Sequence, residues 1–338
     1  MFALAAHGSG SAAAAPTDVE GGAQAARQYR ELAPGVETAI PLARDEEETI
    51  AVHDIVELEP GVPDLDWQPQ EYPKTRTLFD KAQGAIFRRG VWQLQFTFKP
   101  LRMIRVDIPQ PGGKMKTTLV WYMVYRVTNP GQHMTPVRGG GDQFTRGSYT
   151  VARADRSSGL FASIGPHRFL PTFLLRTFPT AELKVSDSTV QYMDEIIPAA
   201  KRPIYLRERP ACPLDQFHDT VQIGADPVPV SSGRVEISRW GYVTWTNLDP
   251  TVDFFTVQIL GLTNAYRWVD PTGAFRPGDP PGTGRQFEFK TLQLNFYRPG
   301  DEFDARENEI RLGVAGHPKE QWLFRPNPTT FQPVHPKQ

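Results

Sequence analysis

Apolar residues recur along this chain with a period of two. Over 91–98, Trp92, Leu94, Phe96 and Phe98 alternate with Gln93, Gln95 and Thr97, the pattern of a strand with one apolar face. Pro100 ends that run, and Ile104, Val106 and Ile108 begin a second. The stretch PQPGG at 109–113 supplies a turn. Residues 119–127 then read LVWYMVYRV, apolar or aromatic on both faces, which predicts a central strand covered on both sides. Asn129, Pro130 and Gly131 close it.

The later part of the chain follows the same grammar. Val235 and Ile237 alternate with Glu236 and Ser238, residues 242–245 continue that strand, and NLDP at 247–250 turns it. Phe255, Val257 and Ile259 alternate with Thr256 and Gln258, and Gly261 marks the exit. Over 287–297 the phase slips: Phe287 and Phe289 share one parity, whereas Leu292, Leu294 and Phe296 share the other. A strand presenting both sets to one core must change face, so the pattern predicts a bulge or break near Lys290 and Thr291.

Helical pattern is sparse. Residues 23–33 are good helix formers stopped by Pro34. A second helix is expected over 72–89, with Leu78, Ala82, Ala85 and Ile86 inward. A third is expected over 188–200, capped by Asp187 or Ser188, with Val190, Met193 and Ile197 on one face. Strands joined by short proline and glycine turns predict a mainly β protein of two immunoglobulin-like antiparallel β-sandwich domains with a few short helices. The first sandwich is placed at 34–209, with a mobile glycine-rich insertion at 135–160, and the second at 233–325. A proline-rich linker at 210–232, with Pro210, Pro213, Pro227 and Pro229, separates them. Residues 1–33 form a flexible N-terminal segment and 326–338 an extended tail.

Composition narrows the function classes. Pro 32 and Gly 28 in 338 residues put proline at about twice its usual share and argue against a long-helix protein. A net charge of −1 argues against a nucleic-acid binder driven by bulk phosphate attraction. One Cys excludes an intrachain disulfide framework and a thiolate-cluster metal site. No apolar run approaches the ~18–20 residues that span a bilayer, so no transmembrane segment is expected. The stretch 1–16 reads MFALAAHGSGSAAAAP, either a flexible start or the remnant of an export signal beginning upstream of Met1, with Ala13, Ala14 and Ala15 as a cleavage-like site.

The strong catalytic motifs are not present: no GxxxxGK[ST], no GxGxxG between strand and helix, no HExxH and no GxSxG. Weaker constellations remain. His53 and Asp54 form a His–carboxylate pair, but neighbours on a strand point to opposite faces. Asp301, Glu302 and Asp304, continuing to Glu307 and Glu309, make an oxygen-rich loop that suits Ca²⁺, while Arg298, Arg306 and Arg311 offer it salt bridges instead. Arg138, Arg146, Arg153 and Arg156 cluster in the glycine-rich insertion, diluted by Asp142 and Asp155. Trp92, Trp121 and Trp245 sit in strand patterns as core residues. Trp67, beside Pro63, Asp64 and Asp66, is either a lid on the core or an exposed ring for stacking on a sugar or peptide. Cys212 reads as an inert thiol.

Several strings carry a resemblance: HDIVEL (53–58), FKPLRMIRVDIPQP (98–111) and LVWYMVYRVTN (119–129), then DPTVDFF (249–255), GLTNAYRW (261–268) and LQLNFYRPGDEF (292–303). Together they resemble a group of uncharacterised, exported β-sandwich proteins of planctomycete-type bacteria, over roughly 34–326. The resemblance implies export to the periplasm or cell envelope and brings no activity, cofactor or site residue. The reading that follows is a non-enzymatic extracytoplasmic protein for envelope structure or protein–protein contact. The alternative is a carbohydrate-binding module using Trp67 and a Ca²⁺ loop, and a third reading is a hydrolase with an unrecognised site.

Overall fold

The computed structural model describes residues 36–51, 87–138, 149–154, 165–231, 235–249, 251–269, 271–273, 284–298 and 310–326. The protein is mainly β. In chain order its first strands are β1 (Thr38–Ala39), β2 (Ile50–Ala51), β3 (Phe87–Arg88), β4 (Gln95–Phe98), β5 (Arg102–Pro109) and β6 (Met115–Thr128). Then come β7 (His133–Arg138), β8 (Tyr149–Ala154), β9 (Thr172–Phe178), β10 (Gln191–Met193) and the helix α1 (Pro198–Glu208). The rest are β11 (Phe217–His218), β12 (Ser238–Trp245), β13 (Phe254–Leu260), β14 (Tyr266–Val269), β15 (Gln286–Tyr297), β16 (Arg311–Leu312) and β17 (Glu320–Pro326).

Two large sheets result. The first runs β1-β4-β6-β12-β11, with β5 also on β6; the second runs β10-β9-β13-β15-β14, with β16 and β17 also on β15. Pairing is antiparallel throughout both sheets except at β11–β12, which is parallel. The 14 residues of β6 make it the axis of the first sheet, as its two-faced apolar pattern predicts. Its odd residues Trp121, Met123, Tyr125 and Val127 point into the space between the sheets. Its even residues Val120, Tyr122 and Val124 point the other way, under α1.

The interior between the sheets is aromatic. Trp121 meets Phe255 edge-on with ring centres 5.5 Å apart, Phe98 meets Phe296 at 6.2 Å, and Tyr125 meets Phe173 at 5.0 Å. Such pairs add about 0.5–1.5 kcal/mol each to the stabilisation from area burial. The ring of Tyr125 is accommodated because residue 241, opposite it on β12, is glycine: a Cβ there would lie 2.6 Å from the ring.

This arrangement corrects the division into two sandwiches. The pairings cross the expected linker, since β12 lies on β6 and β13 lies on β9. Residues Leu32–Gln338 form one compact unit, and one main interior draws on both halves. The linker is itself core: Phe217, Ile223 and Val228 are buried, and its prolines shape turns between those anchors. Three other expectations change. The 188–200 segment is an edge strand, β10, and the helix starts later at Pro198, a residue whose fixed φ and missing N–H suit a first helical turn. Residues 87–88 of the expected 72–89 helix are strand β3, Arg89 follows it outside any helix, and 72–86 lie outside the described residues. The glycine-rich insertion holds the paired strands β7 and β8. The expected 23–33 helix also falls outside the described residues. No helix among the described residues is long and apolar enough to cross a membrane.

Candidate functional site: an aromatic and arginine face on β14 and β15

The phase slip in 287–297 resolves without a bulge in β15. Its ladder with β17 runs unbroken from Glu288–Pro326 to Leu294–Glu320. The break is in the partner on the other edge, where β13 pairs with 292–297 and β14 with 286–289. Gly261 makes that exchange of partners possible. It has φ +91°, and a Cβ at this position would lie 2.3 Å from the carbonyl oxygen of Leu170, so no other residue fits unstrained.

Because β15 is continuous, its two parities face opposite sides. Leu292, Leu294 and Phe296 enter the interior. On the same side the next positions are Lys290 and Glu288, where the core gives way to charge. Lys290 is buried in an ion pair with Glu48 and donates to the Ala43 carbonyl at 2.6 Å. Glu288 pairs with Arg267 at 2.5 Å. The aromatic residues of the other parity therefore face away from the core. Phe287 is 42% exposed and Phe289 38%.

The register with β14 sets Tyr266 opposite Phe289 and Trp268 opposite Phe287, so these rings share one face. Tyr266 and Phe287 meet at 5.9 Å, nearly edge-on. Arginines border the patch. The Arg89 guanidinium lies 3.6 Å over the Tyr266 ring and donates to the Tyr266 carbonyl at 2.8 Å; the Arg285 guanidinium lies 3.7 Å over Trp268. Arg325 is opposite Phe289 on β17 and joins the same face. Cation–π contacts at such distances fix both partners, each contributing about 0.5–2 kcal/mol. Chemically the face offers apolar contact and guanidinium forks, a combination enriched at protein interfaces.

The candidates expected from sequence fare differently. Trp67, the carboxylates Asp301, Glu302 and Asp304, and the pair His53 and Asp54 all lie outside the described residues, as do Arg146 and Arg156. Arg138 and Arg153 fall on β7 and β8. Trp121 and Trp245 are core residues, and Trp92 is partly buried against the interior. Burial and Asp215 push the Cys212 thiol up to about 11, so it stays protonated at neutral pH. Among the described residues no group of three or more His, Cys, Asp or Glu is arranged to hold a metal ion. The residues of the aromatic face were missed; the parity slip was their signal, read as a defect in the strand instead of a change of face.

No family model matches the chain, and no curated protein or solved structure matches it either. Nothing in these comparisons links it to planctomycete-type proteins.

Proposed function

We propose that this protein is a non-enzymatic, extracytoplasmic protein that works through protein–protein contact, in the cell envelope. The observation that carries the contact role is the outward face of Tyr266, Trp268, Phe287 and Phe289 among Arg89, Arg285 and Arg325. Exposed Phe side chains gain by being covered, and guanidinium forks select a partner with carboxylates beside its apolar residues. The extracytoplasmic part rests on the resemblance of the quoted strings.

Carbohydrate binding is the second reading, favoured by the same rings. It is the weaker one because sugars stack on open ring faces, and guanidinium groups already lie over Tyr266 and Trp268. The deciding experiment cross-links the protein in native cells, after fractionation, alongside a variant carrying Phe287→Ser and Phe289→Ser. The proposal expects an envelope-fraction partner that the wild type holds and the variant loses. A cytosolic location, or the same partners for both proteins, would overturn it. Retention on a polysaccharide matrix that the variant loses would select the carbohydrate reading.

A further inference from the structure

Two histidines that the aromatic face does not use meet elsewhere. His133 opens β7, and His167 sits in an extended segment held to Val228 by hydrogen bonds in both directions, 3.2 and 2.7 Å. Their Nε2 atoms are 3.2 Å apart, their ring centres 4.8 Å, and their planes 74° to one another. Trp92 stacks flat on His167, ring centres 4.5 Å apart with 9° between planes, and so holds that imidazole in place. His133 is 6% exposed, and its Nδ1 is buried with no hydrogen-bond partner.

The two distances are those of imidazoles converging on one ion. Nitrogens bound at ~2.05 Å to a tetrahedral metal stand about 3.3 Å apart, with ring centres about 5 Å apart. Two rings joined head-on by a linear hydrogen bond 3.2 Å long would have centres about 5.5 Å apart, well beyond the 4.8 Å found here. Both rings are also ready as ligands: burial lowers both from the ordinary histidine value, His133 to about 4, so at pH 7 they are neutral and carry lone pairs.

We propose that His133 and His167 form a two-imidazole site for a divalent transition-metal ion, with water filling the other positions. Imidazole suits Cu²⁺, Ni²⁺ and Zn²⁺, and the general order of stability places Cu²⁺ first. Arg44 is the charged neighbour of His133 and opposes a cation, which weakens the site. His167 is only half-buried and gives the ion its entry path.

The test is calorimetric titration of tag-free, full-length protein with Cu²⁺ and Zn²⁺ at pH 7.5, together with electron paramagnetic resonance of the Cu²⁺ form. The expected result is a Cu²⁺ site with nitrogen coupling from two imidazoles, tighter than for Zn²⁺. Its affinity falls at least about tenfold in His167→Gln and in His133→Asn, both checked for folding by circular dichroism. Because His133 is buried, His167→Gln decides the matter if His133→Asn does not fold. Unchanged Cu²⁺ affinity and spectrum in a folded His167→Gln, or no binding to the wild type, would overturn the proposal.

Discussion

The outer face of the first sheet and the β14–β15 end of the second both turn aromatic side chains away from the interior, and they differ in what meets them. On the first sheet Val120, Tyr122, Val124, Trp240 and Tyr242 lie buried with Ile197, Ala200 and Ile204 at α1. On the second, Phe287 and Phe289 keep about two fifths of their surface exposed. Alternation along a strand states which residues share a face. It does not state whether the chain itself returns to cover that face. The covered face is also anchored by a polar device. Glu208, 1% exposed at the end of α1, accepts from the Tyr122 hydroxyl at 2.7 Å and from Arg102 at 3.3 Å, while Lys99 donates to its backbone carbonyl. The open face has its arginines over rings instead of carboxylates.

That contrast is breakable, and the largest effect belongs to the covered side. Glu208→Ala removes one partner of a buried ion pair with Arg102 and the carboxylate that accepts from the Tyr122 hydroxyl. Denaturant unfolding should show a loss of about 3–5 kcal/mol. A loss under about 1 kcal/mol would mean that α1 is not held by this contact. Next is Gly261→Ala, which forces a Cβ against the Leu170 carbonyl at positive φ and should destabilise by about 2–3 kcal/mol.

Alkaline pH gives an intermediate effect to which the covered face contributes, alongside the interior Tyr125, whose hydroxyl pKa is also raised by burial. Burial pushes Tyr242 up to about 12, and burial next to Glu208 raises Tyr122 further. The unfolded chain loses these protons near 10 and the folded chain does not, so stability falls as pH rises from about 10 through 12. Chemical denaturation across that window, compared with Tyr122→Phe and Tyr242→Phe, measures it; the substitutions should flatten the decline. The smallest stability change is expected for Phe287→Ser with Phe289→Ser, under about 1 kcal/mol, because these rings are not core. A loss above about 2 kcal/mol would show that the face is structural, and would weaken its reading as a docking surface.

Much of the fold was legible in 91–127 and 235–259. Alternation there located β4, β5, β6, β12 and β13, and the two-faced run marked β6 as central. The linker was misread because proline density says where a chain turns, and Phe217, Ile223 and Val228 show that a turning segment still buries anchors. The helix at 188–200 was misplaced because Val190, Met193 and Ile197 fit a helical spacing, whereas the β9 edge took up 191–193 by backbone pairing. The His133–His167 pair had no sequence signal: the two are 34 residues apart and meet through the pairing of His167 with Val228.

By itself the sequence determined the class of structure, the strands within 91–127 and 235–259, their turns and the parity of their side chains, because these depend on residues one or two positions apart. Tertiary structure decided which strands pair across the middle of the chain, that both halves share one interior, and that β15 keeps one parity inward past Lys290 without a bulge, leaving Phe287 and Phe289 outward. It also decided which outward aromatic face α1 would cover. Those outcomes depend on contacts between distant segments, where burial of the assembled sheet outweighs any local preference.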